Sequence, residues 1–371
     1  MNEDNVWSCA AIDHGVTVFP NGKIGPCCLI AADYLKPISV LSDPNRFADL
    51  KTPKDTPPDA CRDCVLAESH GDKSYRAVFE ELKTDAPGLQ FVDIRNSNLC
   101  NLKCRTCSPH FSNKWGEEFG YDITIKKQDL TEHLPVLLND SLHWMYFTGG
   151  EPLINRDHWD LLEELIASGR SKNIQLLYNT NMTTLKFKDK DIMSIWRQFN
   201  RVTINCSIDA AGEQINYIRS DSDWVTIKEN FDKLYQFSKE WREFNMVLTP
   251  TMSILNIWFF ADLIKFAHDH QIVCKPIILQ GPHTFTLSVI PNELTARALE
   301  QLDQATSYKW VDHVIIARMK KMIIENEPAY MFDRTIRDIL LMDNIRKEHL
   351  FDILPFKQLA LSNLQKFDEY K

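Results

Sequence analysis

Phe91-Val-Asp-Ile-Arg95 runs through Asn96-Ser-Asn-Leu99 into Cys100-Asn-Leu-Lys-Cys104-Arg-Thr-Cys107, and this stretch decides how the chain is read. A short β-favouring run ends, and three thiols follow on one loop with the spacing CxxxCxxC. Three thiolates at the end of a strand can hold three irons of a cubane cluster and leave the fourth iron without a protein ligand. The bland alternative is zinc, which takes four ligands and could recruit His110 as the fourth. Some 40 residues downstream, Tyr146-Phe-Thr-Gly149-Gly150-Glu151-Pro152 closes the next strand candidate. Two glycines there expose backbone, and Glu151 puts a carboxylate at the same end of a sheet as the cysteines.

Working outward, β-rich runs fall at 91–95, 144–148, 174–178, 202–208, 246–252 and 273–279. Helical patterns lie between several of them; Ile227, Phe231 and Leu234, spaced i, i+4, i+7, line one helical face. Six strands alternating with helices predict an α/β fold with a parallel sheet, either a partial barrel or an open doubly wound sheet. After Pro291 helical patterns take over at 294–305, 311–324 and 334–341. Residues 1–88 have another texture: a hairpin-like segment (16–19, Pro20-Asn21-Gly22, 23–27), a proline-rich irregular stretch at 41–60, and five of the ten cysteines. Three regions are therefore expected, 1–88, 89–290 and a helical extension over 291–371.

Forty-two Lys and Arg against 51 Asp and Glu leave a net charge of −9, which disfavours nucleic acid as a partner. Composition is that of a folded globular chain, with 44% hydrophobic and 25% charged residues, and bulk disorder is excluded. No apolar run approaches the ~20 residues of a membrane span, so no membrane partner is expected. The opening Met-Asn-Glu-Asp-Asn-Val-Trp7 lacks a basic and apolar leader, so the expected location is the cytoplasm. In that reducing compartment ten cysteines suit metal or thiol chemistry better than disulfides. No HExxH, P-loop or GxSxG pattern occurs, which leaves metalloprotease, nucleotide-triphosphatase and serine-hydrolase chemistry without support.

Together, CxxxCxxC and the Gly-Gly-Glu-Pro turn resemble the radical S-adenosylmethionine (radical SAM) superfamily. The resemblance implies a partial (β/α)6 barrel, a [4Fe-4S] cluster on Cys100, Cys104 and Cys107, and SAM on the fourth iron. It implies that Gly149, Gly150, Glu151 and Pro152 bind the SAM amino group. Asn179-Thr180-Asn181 looks like the family's Thr-Asn-Gly segment with Met182 in place of the glycine. Ser207, Asp209 and Arg219 are similar to residues that contact the SAM ribose and carboxylate, and Thr106 stands where the family often sets an aromatic residue against the adenine.

A second constellation lies in the N-terminal region: Cys9, Gly22, Cys27, Cys28 and Cys61-Arg-Asp-Cys64. It resembles the auxiliary-cluster module called SPASM in its shortened twitch form, placed before the core instead of after it. The resemblance implies a second [4Fe-4S] cluster on Cys9, Cys27, Cys61 and Cys64, with Cys28 as an alternative to Cys27; four thiolates could equally hold structural zinc. The polar stretch from Glu68 to Arg76 reads as a capped helix start, or else as residues facing that site. Cys206 and Cys274 read as buried small hydrophobes, Cys206 alternatively as a hydrogen-atom donor beside Ser207.

The expected activity is reductive cleavage of SAM to a 5′-deoxyadenosyl radical that abstracts hydrogen from a small-molecule or peptide substrate, giving oxidation, epimerisation or cross-linking. An electron donor of the flavodoxin or ferredoxin kind is implied. The competing expectation is a non-catalytic or RNA-directed iron-sulfur protein on the same scaffold.

Overall fold

A computed structural model describes residues 6–360, apart from 70, 72 and 122–129. The chain forms two compact units and passes between them more than once. Met1–Leu99, Asp122–Tyr178 and Lys186–Thr203 make the first; Cys100–Tyr121, Asn179–Leu185 and Ile204–Lys371 make the second.

The first unit is built on a mostly parallel sheet. Gly15–Val18, Phe91–Ile94, Trp144–Phe147 and the start of Gln175–Thr180 lie side by side in parallel, in register Gly15↔Phe91, Phe91↔Trp144 and Trp144↔Gln175. Every residue of Phe91–Ile94 is buried, as expected for a parallel strand covered on both faces. Its one charge, Asp93, is met by Arg95 Nε at 3.0 and 2.9 Å and by the Thr17 hydroxyl at 3.5 Å. The expected hairpin forms as Gly15–Val18 and Lys23–Gly25 in antiparallel pairing, and its first strand joins the sheet beside Phe91–Ile94. The N-terminal cysteines therefore hang on segments at the margin of that sheet.

Two of those segments are helices, Arg62–Ser69 and Tyr75–Leu82. The second starts where Ser74 Oγ accepts the Ala77 N–H at 3.1 Å, which satisfies an otherwise orphan donor of the first turn. It buries Phe79 against Phe91, with ring centroids 5.2 Å apart. Helix Arg156–Ala167 follows the Gly-Gly-Glu-Pro turn, is capped by Asn155, and buries Trp159, Leu162 and Leu165, each contributing ~1.5–3 kcal/mol.

The second unit also carries parallel pairs, Phe244–Leu248 with Val273–Cys274 and Thr251–Met252 with Ile277–Ile278. Each expected strand, 246–252 and 273–279, is thus two short ones. Pro250 and Pro276 lie at the breaks, where a residue without an N–H cannot continue a ladder. Helix Trp224–Glu240 buries Ile227, Phe231 and Leu234 as their spacing requires, with Phe237 added. The C-terminal region is helical, as Asn292–Thr306, His313–Ile324 and Ala329–Arg346. The chain is a mixed α/β protein with parallel central strands, in agreement with the expected class.

Candidate active site

The second unit holds the three-cysteine loop. Lys103–Cys104 is a two-residue strand antiparallel to Arg219–Ser220, with Cys104 opposite Arg219. The loop is tied at both ends: the Cys100 N–H donates to Asn113 Oδ1 at 2.9 Å and the Cys107 N–H to the Cys104 carbonyl at 3.0 Å. Cys100, Cys104, Thr106 and Cys107 are all half-buried.

The pairing brings Arg219 to the loop. Its guanidinium clasps Asp209 at 2.8 and 3.1 Å, and Nη1 lies 3.9 Å from Cys104 Sγ. Asp209 is buried and also accepts the Thr251 N–H at 2.8 Å. Burial raises the Cys104 thiol and pushes Cys107 up to about 12, while Arg219 and Arg346 pull both down. Two cations beside half-buried thiols supply the positive field that thiolate ligands and an anionic cluster need.

Asn181 reaches the same loop. Its Nδ2 donates to Asn101 Oδ1 at 2.9 Å, Asn101 Nδ2 donates to Thr183 Oγ1 at 2.8 Å, and Thr183 Oγ1 donates to Asn181 Oδ1 at 2.6 Å. Met182 takes φ 65°, the left-handed conformation for which glycine is usual. The Thr180 hydroxyl accepts its N–H at 3.2 Å, Asn230 Nδ2 donates to its carbonyl at 2.9 Å, and its side chain is buried. Ser207 is half-buried on the following strand end, its N–H bonded to the Thr180 carbonyl at 2.9 Å. Cys206 is wholly enclosed, and burial drives its thiol far above the ordinary range. His110 is exposed.

In the first unit, the Gly-Gly turn packs backbone to backbone against the segment leading into Cys100. The Gly150 N–H donates to Ser97 O at 3.1 Å and the Glu151 N–H to Leu99 O at 2.8 Å. A Cβ on Gly150 would lie 2.0 Å from the Leu99 carbonyl, and one on Gly149 2.8 Å from that of Ser97. Only glycine permits this approach. Glu151 is buried and accepts the Leu153 N–H at 3.1 Å, starting the short helix Pro152–Ile154.

The first unit also gathers the N-terminal thiols. Cys9, Cys27, Cys61 and Cys64 line one small, largely apolar cavity with Tyr75, Arg76 and Phe79. Burial raises all four thiols, Cys9 to about 12. Backbone N–H groups oppose the rise: Ala11 at Cys9, Leu29 at Cys27, and Tyr75 and Arg76 at Cys64. Cys28 is not in that lining; burial pushes its thiol up to about 11, with Arg95 pulling it down and Asp93 raising it. Arg76 stacks over Trp7 at 4.4 Å and pairs with Glu68 at 2.6 Å. The stretch is both a capped helix start and part of the cysteine cavity. Among the described residues, no three His, Cys, Asp or Glu side chains converge closely enough to hold a single metal ion.

Residues 96–267 match the family model described as the radical SAM superfamily. This span is similar to a radical SAM domain. The matched span includes the three-cysteine loop, the Gly-Gly-Glu-Pro turn, Asn181, Ser207, Asp209 and Arg219, and leaves out the N-terminal thiols and the C-terminal helices. The chain is 26% identical over 115 residues to the 7-carboxy-7-deazaguanine synthase of Thermoplasma acidophilum, covering 30% of this chain and 50% of the relative. It is 25% identical over 181 residues to the GTP 3',8-cyclase of Campylobacter lari, covering 48% and 52%. The chain thus spans about half the length of these curated relatives. That family implies a [4Fe-4S] cluster and SAM, and the three thiols of the matched span are a donor set that fits such a cluster. No helix among the described residues is long and apolar enough to cross a membrane.

Several residues of the site escape sequence reasoning. Asn101 adjoins Cys100 and could have been noticed there. Thr183, Thr251 and Trp7 carry no local signal, because each reaches the site through a contact distant in sequence or through its backbone.

Proposed function

We propose that this chain is a radical SAM enzyme. Cys100, Cys104 and Cys107 would hold a [4Fe-4S] cluster with one iron left for SAM, and the chemistry these supply would take hydrogen from a small-molecule or peptide substrate. The parallel strands support a partial (β/α)6 barrel around this chemistry. The observation that carries the proposal is the loop itself: three thiols on one loop, with the Asp209–Arg219 pair 3.9 Å from Cys104 and the Asn101–Asn181–Thr183 triangle beside Cys100.

When bound, the cluster and SAM supply one-electron cleavage of a sulfonium to methionine and a 5′-deoxyadenosyl radical able to abstract hydrogen. The chain's own residues bind and orient. By the family resemblance Gly149, Gly150, Glu151 and Pro152 would bind the SAM amino group, Ser207, Asp209 and Arg219 would bind its ribose and carboxylate, and Thr106 would be the residue assigned to the adenine. Asn181 fixes the loop through Asn101. Oxidation, epimerisation or cross-linking would follow from what the substrate radical meets, with an electron donor of the flavodoxin or ferredoxin kind.

The proposal includes a second [4Fe-4S] cluster on Cys9, Cys27, Cys61 and Cys64. Zinc, which takes four ligands with sulfur at ~2.3 Å, is the competing occupant of these thiols. Thiols spaced around a cavity and supplied with N–H donors suit a cluster, in which each cysteine takes a different iron. The cavity lining favours Cys27 over Cys28.

The test is anaerobic reconstitution with SAM and dithionite, assayed for 5′-deoxyadenosine. The wild-type chain is expected to form it and Cys104→Ala to form none. A fully reconstituted wild-type chain that yields no 5′-deoxyadenosine would instead favour a binding protein on the same scaffold.

A further inference from the structure

The C-terminal helix Ala329–Arg346 meets the cysteine loop through a buried charge network that packing alone does not require. Arg105, between the second and third cysteines, is 0% exposed in its side chain. It donates to Asp343, to Glu348 Oε2 at 2.7 Å, to the Tyr217 carbonyl at 2.9 Å and to the Ile339 carbonyl at 3.5 Å. Arg105 thus meets this helix through the Ile339 carbonyl, about two turns before its end, and through the Asp343 carboxylate. Contact runs the other way too. Arg346, the last residue of that helix, donates to the Lys103 carbonyl at 2.8 Å, to Ser220 Oγ at 2.9 Å and to Glu118 at 2.8 Å. Lys103 Nζ reaches the same Glu118 at 3.0 Å, and Ser220 Oγ donates to Glu348 at 2.8 Å. Lys103 and Ser220 are the paired residues beside Cys104 and Arg219.

Each arginine is inserted into the other element, so the helix end and the strand Lys103–Cys104 cannot move apart without exposing unpaired buried charge. Desolvating two guanidiniums is expensive and stabilises poorly against an apolar alternative. What such a network provides is a single fixed geometry.

We propose that the helix Ala329–Arg346 is a brace for the cysteine loop, with Arg105 and Arg346 as positioning residues: it holds the backbone of 103–107 in the conformation that keeps a cluster, and the charge of Arg346 sets the potential of that cluster. The proposal rests on the cluster assignment made above. Two consequences separate it from general stabilisation. Removing the Arg346 charge disfavours the more negative, reduced cluster and lowers its midpoint potential; removing the Glu348 charge raises it. Loosened packing alone gives no such opposition of sign.

The experiment uses the full chain, reconstituted anaerobically, with Cys104→Ala as the blank that identifies the loop cluster. Arg346→Met, Arg346→Lys and Glu348→Gln are compared with wild type by EPR-monitored redox titration and by the rate of iron loss to a chelator. Arg346→Met is expected to lose loop iron about tenfold faster or more, the usual cost of removing a partner that orients a ligand, and to shift the potential negative. Glu348→Gln shifts it positive. Arg346→Lys stays near the wild-type potential but loses iron faster, because an ammonium cannot make the same forked contacts. If Arg346→Met does not fold, the other two variants carry the test. Potentials and iron retention equal to wild type in the variants overturn the brace alone. A wild-type chain without any iron that Cys104→Ala removes overturns the cluster assignment, and the brace falls with it.

Discussion

His158 shows how a residue with catalytic chemistry can belong to the core. It follows the Gly-Gly-Glu-Pro turn closely in sequence, yet its Nε2 bonds the Tyr178 hydroxyl at 2.8 Å and its ring lies edge-on to Phe147 at 4.8 Å. Burial lowers its pKa to about 3. The unfolded chain binds a proton near pH 6.5 and the native protein does not until about 3, so this residue makes stability fall as pH drops from 6.5 toward 3. His158→Met is expected to lessen that fall by about 1.4 kcal/mol per pH unit across the window, read as the difference between wild-type and variant urea midpoints at each pH. An unchanged difference would mean that the ring is protonated in the native state. Cys100, Cys104, Cys107, Gly149 and Gly150 were legible in the sequence because their spacing is local. Arg105 was not, since nothing near it in sequence announces Asp343 and Glu348.

Among the elements, the helices were read well where amphipathic spacing is regular, as in Trp224–Glu240, and the strands were read well where apolar runs are unbroken, as in Phe91–Ile94. The strands at 244–252 and 273–278 are divided where an unbroken strand was expected. Composition there is uniformly β-like, and only the prolines reveal the break. The N-terminal elements carry the sharpest element-scale prediction. Helix Arg62–Ser69 brings Cys64 to the cavity and the turn before it brings Cys61. Replacing both by alanine should lower the iron of a reconstituted chain from roughly eight to about four atoms, with the SAM-dependent signal kept. About four irons in wild type and variant alike, with zinc lost from the variant, would assign the N-terminal thiols a structural metal instead.

At the scale of the whole molecule, the chain divides into two units, each assembled from several separate stretches of sequence. Short-range patterns cannot reveal this, because the chain crosses from one unit to the other inside Gln175–Thr180 and Arg201–Cys206, where composition does not change. What could be read was the three-cysteine loop, since its spacing is local whichever unit carries it. The most direct measurement is the EPR spectrum of the dithionite-reduced chain with and without SAM. A [4Fe-4S] signal that changes on adding SAM and vanishes in Cys104→Ala is the predicted result. A loop cluster whose spectrum is indifferent to SAM, or zinc bound in its place, would contradict the account.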